Sequence, residues 1–535
     1  MRVPSAITFL PLLLVPNEHA AAKTTQNSQL SVGGPDGNDV LNSALPEDVF
    51  HNLGQYSARY TVEGLPDELP EGCTVTLVNS LERHGVRYMT AGALKSAEAT
   101  IEKVQTALAN TSAPRLPEEL RFLKGVNISN HTADLAPMGA LQAYYSGKYT
   151  RERYSKLAST AEAFIRTSGD PDADRVIVTS QFWSMGYHGE PFPEGPLTDG
   201  SSVRAAGAEA KVQPNVIISE QNGSNNTLNV DTCPADTEYG DVAGEDLATS
   251  TYGNSTLVPT IGARLGRAFG QAGVSLSLSS TDLANSLGLC SFDTLATGPV
   301  SSGHLNLTIS PFCTLFTPEE FQMYEYYLDV GKYYGSGYGD PYHEALGVSY
   351  LRELLARLTG TEVDLASPTG ALNTTLDAHG ANSTFPIPPK DAVQPLSGVR
   401  IFHDASHDNN ISPIVASFGL FRTAPLPLGR HAERSQRAKN RSWHFSRIAP
   451  LQGKVVWEKV SCPVKKTSKR EHEFVRIRAN EAIQTSAGQA WCPGKLAGEE
   501  MQYARYGLCP LEKVVRGLQW DRCYEPAVTG LTPQR

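Results

Sequence analysis

Three short runs of apolar and β-branched residues, far apart in the chain, limit its possible folds more than any other feature. They are residues 74–78 (Thr-Val-Thr-Leu-Val), 175–179 (Arg-Val-Ile-Val-Thr) and 399–403 (Val-Arg-Ile-Phe-His). Near-continuous apolar runs of this length suit strands buried on both faces, as in a mostly parallel sheet. Helical patterns lie between them. Thr317-Pro318-Glu319-Glu320 offers an N-cap, a Pro at the first helical position and a Glu three residues after the cap. Phe321, Tyr324 and Leu328 then share one face. A second helix is expected from about 344 to 358, with Val348, Leu351, Leu355 and Leu358 as its apolar stripe. Strands separated by long helical stretches imply an α/β domain.

The 535 residues exceed one minimal core. We therefore expect a large α/β catalytic domain from 49–224 and 331–525, with a helical insert near 100–160. A smaller helical cap is expected over 225–330. Residues 23–48 are polar and rich in Gly, Asn and Ser, which suits a flexible leader. Residues 424–447 are rich in Pro, Arg and Lys and read as an exposed basic insertion.

Open α/β sheets bind ligands beyond the carboxyl ends of their strands, and two charged motifs sit just past such ends. The first is Arg83-His84-Gly85-Val86-Arg87. A neutral imidazole at His84 can attack phosphorus. Arg83 and Arg87 can hold phosphoryl oxygens with rigid forks of donors. Gly85 lets backbone and phosphate approach closely. Arg-His-Gly-x-Arg arises by chance in roughly one chain in several hundred of this length. The second motif is Ser406-His407-Asp408-Asn409. Here His407 can donate to phosphoryl oxygens, and Asp408 can protonate a departing alkoxide. Arg166, in the 165–169 segment, is a third candidate. A metal site competes with this chemistry, because His403-Asp404 and His407-Asp408 form an HDxxHD pattern. It fails if His403 lies on a strand and points into the core, and no further ligand cluster accompanies it.

The amino terminus reads as a secretory signal peptide, residues 1–22. Arg2 supplies charge, Ile7 to Val15 an apolar run, and Ala20, Ala21 and Ala22 a cleavage region. The run is too short to span a membrane. The eight cysteines form no CxxC pair, and in a secreted chain they suggest four disulfides, although spacing alone allows about 105 pairings. Ten N-x-S/T acceptor sites between Asn110 and Asn440 suit a glycoprotein. Asn410 also fits the pattern, but a glycan there would block the second motif. The net charge of −10 argues against a nucleic-acid binder and leaves room for a local basic pocket.

These motifs resemble those of the histidine acid phosphatases, and within them the fungal phytases. The likeness runs from about Gly54 to Cys523. It includes Gly54-Gln55-Tyr56, Ala133-Asp134-Leu135, the 290–294 and 310–313 segments, Gly331-Lys332-Tyr333-Tyr334-Gly335 and the 515–518 segment. The resemblance implies a large α/β domain with a smaller helical domain above the cleft. It implies that His84 becomes phosphorylated, that Arg83, Arg87, Arg166 and His407 bind the scissile phosphate, and that Asp408 protonates the leaving group. Gln55, Tyr56, Thr90 and Lys332 match positions lining the substrate pocket. Family pairing implies Cys73–Cys462, Cys233–Cys523, Cys290–Cys313 and Cys492–Cys509. Met89 replaces a proline of the signature, Leu53 stands where these phytases often have Trp, and the 424–447 insertion has no counterpart.

The expected protein is a secreted, monomeric acid phosphatase that needs no cofactor or metal. Its partner is a phosphorylated small molecule, phytate first, with no nucleic acid and no membrane. The alternatives are a broad-specificity acid phosphatase and a catalytically dead secreted binding glycoprotein.

Overall fold

The computed structural model describes residues 28–31, 45–159, 162–170, 175–221, 226–229, 241–341, 343–360, 398–463, 471–496 and 498–518. The expected signal peptide, Cys233 and Cys523 lie outside them.

The fold is α/β. Its strands, in chain order, are β1 (Ser28–Ser31), β2 (Thr74–Arg83), β3 (Ala163–Ser168), β4 (Val216–Ile218), β5 (Val300–Ser301), β6 (His304–Leu307), β7 (Ile401–Ser406), β8 (Lys454–Pro463), β9 (Glu471–Ala479), β10 (Ala482–Ile483) and β11 (Cys509–Pro510). Eight of them form one sheet in the order β10-β9-β8-β2-β7-β3-β4, with β11 also on β9. The neighbours β2, β7, β3 and β4 are parallel. The pairs β2–β8, β8–β9, β9–β10 and β9–β11 are antiparallel.

The antiparallel half departs from the mostly parallel sheet expected, and charged residues hide two of its strands in the sequence. Strands β8 and β9 carry Lys454, Glu458, Arg476 and Arg478, which read as surface charge. All four are buried. Glu458 accepts from Arg476 Nε at 2.5 Å and from the Tyr154 hydroxyl at 2.6 Å, and Lys454 pairs with Glu481 at 2.9 Å. Buried charges survive when paired and hydrogen-bonded in this way.

The expected strand at 175–179 is instead the first turn and a half of a helix, Arg175–His188. The third central strand is β3, one short step earlier. Nearly every side chain of the 175–188 helix is buried, so its apolar residues carry no periodicity to separate helix from strand. It packs on the helix Pro137–Arg153 through two glycines. A Cβ on Gly147 would lie 1.9 Å from the Trp183 carbonyl, and one on Gly186 1.9 Å from that of Tyr144. That close approach outweighs the β-propensity of Val176, Ile177 and Val178.

The helix Pro318–Gly335 begins as expected, with Thr317 and Glu320 forming a reciprocal capping box. The second expected helix spans His343–Thr359. Over 225–330 the described residues are mainly helical: Asp241–Ala248, a π-helical run Thr249–Gly262, Ala263–Gln271 and Ser280–Leu295. A small antiparallel sheet, β1-β6-β5, adjoins them. Within the leader expected to be flexible, β1 pairs with β6, with Ser28 opposite Leu307.

The 424–447 segment is not a free projection. Leu426, Ala432, Ala438 and Trp443 are buried. Tyr326 and Tyr334 donate to the carbonyls of Pro427 and Leu426 at 2.7 and 2.8 Å, and Arg441 pairs with Asp329 at 2.8 Å. Its apolar residues, spaced among cations, anchor it to the 318–335 helix. Arg430, Arg434, Arg437 and Lys439 stay exposed.

Disulfides join Cys73 to Cys462, Cys290 to Cys313 and Cys492 to Cys509. The first ties the start of β2 to the end of its neighbour β8. Among the described residues, no helix is long and apolar enough to cross a membrane.

Candidate active site

Strands β2 and β7 run side by side in register, Arg83 opposite Ser406, and end together. Both sequence motifs therefore emerge at one place, and the His84 amide donates to the Ser406 carbonyl at 3.0 Å. Gly85 can occupy this turn only without a side chain. A Cβ there would meet the Gly139 carbonyl at 2.6 Å.

The His84 ring is buried, with 1% of its surface exposed. Its Nδ1 lies 2.9 Å from the Gly85 carbonyl. A carbonyl only accepts, so Nδ1 carries the proton and Nε2 keeps the lone pair. Burial first, then the charges of Arg175, Arg83, Arg87 and His407, hold the imidazole well below its usual pKa. His84 is thus neutral and in a defined tautomer.

Around it stands a concentration of positive charge. Arg83 is wholly buried. It donates to the carbonyls of Gln55 and Ala449, the latter at 2.9 Å, and pairs with Asp408 at 3.1 Å. Arg87 donates to the Tyr88 carbonyl at 2.8 Å and lies over the Phe292 ring. Its pKa is pushed down to about 9 by burial and by Arg175 and Arg83. Cations that disfavour one another inside a buried pocket are stabilised when an anion binds among them.

His407 is the N-cap of the helix Asp408–Phe418. An Arg175 Nη donates to its Nδ1 at 3.2 Å, and its Nε2 donates to Glu220 at 2.8 Å. The rings of His84 and His407 meet edge to face at 5.4 Å. Burial would raise the Glu220 carboxyl, but His407, Ser168 and Arg175 hold it down to about 2. Asp408 pairs with Arg83 and with Lys332, each at 3.1 Å. Burial would raise its pKa as well. Arg83, Lys332 and Arg87 overcome that and hold it well below the usual carboxylate range.

A pocket of about 310 Å³ opens here, lined by Arg87, Arg175, His407, Asp408, Lys332 and Glu220, and also by Gln55, Tyr56 and Thr90. The Gln55 carbonyl holds Arg83, and the Tyr56 ring packs on Phe292 at 5.0 Å. The Thr90 hydroxyl accepts from Ala93 as the N-cap of the helix Ala91–Leu108. Met89 is buried and lines the wall of an adjoining cavity, and Leu53 is wholly buried.

Arg166 is not in this pocket. It lies two residues inside β3, opposite Asp404, whereas the pocket lies beyond the strand ends. Its guanidinium meets Asp404 at 2.9 Å and Glu353 at 2.8 Å, and its side chain is wholly buried. Arg175 faces His407 instead. Sequence reasoning missed Arg175 because its segment read as a strand. Glu220 was missed too, though it lies two residues past the end of β4.

The HDxxHD pattern forms no metal cluster. His403 points into the core, stacks on Trp183 at 3.9 Å and bonds Ser80 at 3.1 Å. Asp404 is taken by Arg166 and Arg357. Elsewhere Glu325, Asp329 and His444 lie near one another. There Asp329 already holds Arg441 and the Phe445 amide, and Glu325 accepts from Ser446 and Gly54. The Asn410 amide is buried, donating to Leu228 and Ser406, which leaves no room for a glycan.

Comparison with known proteins places this geometry in context. The profile of the histidine phosphatase superfamily (branch 2) matches residues 74–480. Phytase A of Aspergillus oryzae is 32% identical over 488 residues, covering 89% of this chain and 91% of that protein. Phytase A of Penicillium oxalicum is 31% identical, covering 81% and 84%. In fold, the chain superposes on the crystal structure of the phytase from D. castellii with a TM-score of 0.60 at 19% identity, covering 92% and 90%. On the multiple inositol polyphosphate phosphatase of Bifidobacterium longum the TM-score is 0.53 at 13% identity, covering 87% and 97%.

Proposed function

The chain belongs to branch 2 of the histidine phosphatase superfamily and is a phytase-like phosphomonoester hydrolase; from that premise we propose that His84 is its nucleophile and Asp408 its proton donor. The observation that carries the reading is the bond from His84 Nδ1 to the Gly85 carbonyl, because it leaves Nε2 as the attacking atom.

In the first step Nε2 forms a bond to phosphorus as the bond to the ester oxygen breaks. The proton of Asp408 goes to that oxygen, so an alcohol departs rather than an alkoxide. Arg83, Arg87, Arg175 and His407 hold the phosphoryl oxygens and offset the charge building on them. Arg175 takes the part first expected of Arg166. In the second step water attacks phosphorus, its proton passes to the Asp408 carboxylate, the P–N bond breaks, and phosphate leaves.

Without substrate, Asp408 is firmly ionised by Arg83 and Lys332. An incoming phosphate competes for those cations and repels the carboxylate. Both effects raise its pKa, so the substrate itself loads the proton donor. The substrates are phosphorylated small molecules, phytate among them. We further infer that the protein is exported with its signal peptide removed, is glycosylated and acts as a monomer. Its catalytic body is assigned to 49–224 with 331–525, and its helical cap to 225–330.

Purified protein should release inorganic phosphate from phytate at acidic pH, with the same rate in the presence of a chelator. Release abolished by the chelator would refute the metal-free mechanism. Release undiminished in His84→Ala would refute the nucleophile.

A further inference from the structure

The catalytic pocket is only the floor of the cleft. Above it lies a second cavity of about 480 Å³ that shares Gln55, Tyr56, Thr90, Glu245 and Lys332 with the floor. The part of a substrate beyond the scissile phosphate must occupy this space. The charge of its walls therefore bears directly on which leaving groups are accepted.

Those walls carry little to attract an anion. The 91–108 helix offers Gly92, Ala93, Ser96 and Ala97. The exposed Lys95 of that helix is not among the lining residues. Among the described lining residues Lys332 is the one cation, and it already pairs with Asp408 at 3.1 Å and donates to Asn409. Opposed to it are Glu245 and Asp246, exposed on the 241–248 helix. The field of Glu245 reaches across the cavity. After burial, it contributes to raising the pKa of Tyr56, Tyr324 and Tyr327. The remaining walls include the aromatic rings of Tyr56, Phe292, Tyr324 and Tyr327.

We infer that this outer cavity selects against leaving groups of high negative charge. The enzyme then favours lightly phosphorylated inositol esters over the hexakisphosphate. With one phosphoryl group at His84, the hexakisphosphate must set its other phosphates against Glu245 and Asp246. Like charges within a Debye length of about 8–10 Å repel. A monophosphate brings only a neutral ring, which the aromatic walls accept. This inference rests on the reading that phosphate is released at His84.

The test compares myo-inositol monophosphate with phytate, at low ionic strength and without divalent cations. The two share the ring and the alkoxide leaving group and differ chiefly in charge. A third substrate, 4-nitrophenyl phosphate, reports on the catalytic floor. Wild-type enzyme should show a higher kcat/KM for the monophosphate, and added salt should narrow the gap. Glu245→Gln with Asp246→Asn should raise the ratio of kcat/KM for phytate over the monophosphate about tenfold. A wild-type preference for phytate at low salt, or a double variant that moves both substrates alike, would overturn the inference. The salt series needs no variant, so misfolding of the double variant would still leave it falsifiable. Absence of turnover on all three substrates would instead overturn the proposed function, and the inference with it.

Discussion

Arg166 and Arg175 lie nine positions apart, and replacing each by alanine should have opposite consequences. Arg166→Ala removes two bonds to Asp404 and one to Glu353, all among side chains that are 0–4% exposed. Asp404 would keep Arg357 at 2.6 Å, while Glu353 would lose this partner. Breaking a buried ion pair from one side costs about 3–5 kcal/mol, so the thermal midpoint should fall by several degrees. Arg175 is only half-buried, and its bond to the His407 Nδ1 is a single contact at 3.2 Å. Its loss should change stability by about 1 kcal/mol or less. Its loss from the transition state is a different matter. Removing one preorganised donor from developing negative charge costs about 2.7–4 kcal/mol, or roughly 100- to 1,000-fold in kcat. Arg175 is also the first charge, after burial, that depresses the His84 pKa. In Arg175→Ala that pKa should rise, moving the acidic limb of the pH profile upward. The assay is thermal unfolding of both variants beside kcat and KM on one phosphomonoester. The reasoning is refuted if Arg166→Ala keeps the wild-type midpoint yet loses turnover, or if Arg175→Ala stays within threefold of wild type.

Two further outcomes follow from the same geometry. Asp408→Asn should lose most activity on alkyl phosphates such as phytate and much less on aryl phosphates, whose acidic phenols leave unaided. Equal loss on both would show that another group supplies the proton. Stability should also fall with acid in two stages. His84 and His403 have depressed folded values, the latter about 4, so the unfolded chain binds their protons first. Their contribution is present above about pH 6.5 and is lost as pH drops below it, at up to about 1.4 kcal/mol per pH unit per proton. Glu220 and Asp404 are also depressed, and their contribution disappears below about pH 4. A thermal midpoint that stays flat from pH 7 to 3 would contradict this.

The parts of the site legible in the sequence share one property: local order fixes them. Arg83 to Arg87 and Ser406 to Asn409 follow strands whose apolar runs could be seen, and the parallel pairing of β2 with β7 brings the two motifs together. The capping box at Thr317 was legible for the same reason. What could not be read depends on tertiary burial. The Arg175–His188 helix is buried on nearly all sides, so its apolar residues mark no single face that would distinguish it from a strand. Strands β8 and β9 hide paired charges that look solvent-facing in sequence. Arg166 looked functional because it lies beside the right segment. Its partners Glu353 and Asp404 are 187 and 238 positions away, and no local pattern announces them.

The central claim is a covalent phosphate on His84, and trapping it is the most direct measurement. Enzyme mixed with labelled phosphomonoester should be quenched within milliseconds into base, where a phosphohistidine survives, and then digested and mapped by mass spectrometry. The account predicts a phosphorylated peptide containing His84, labile in acid and absent from His84→Ala. Full turnover with no such adduct, or a phosphate mapped to another residue, would contradict it.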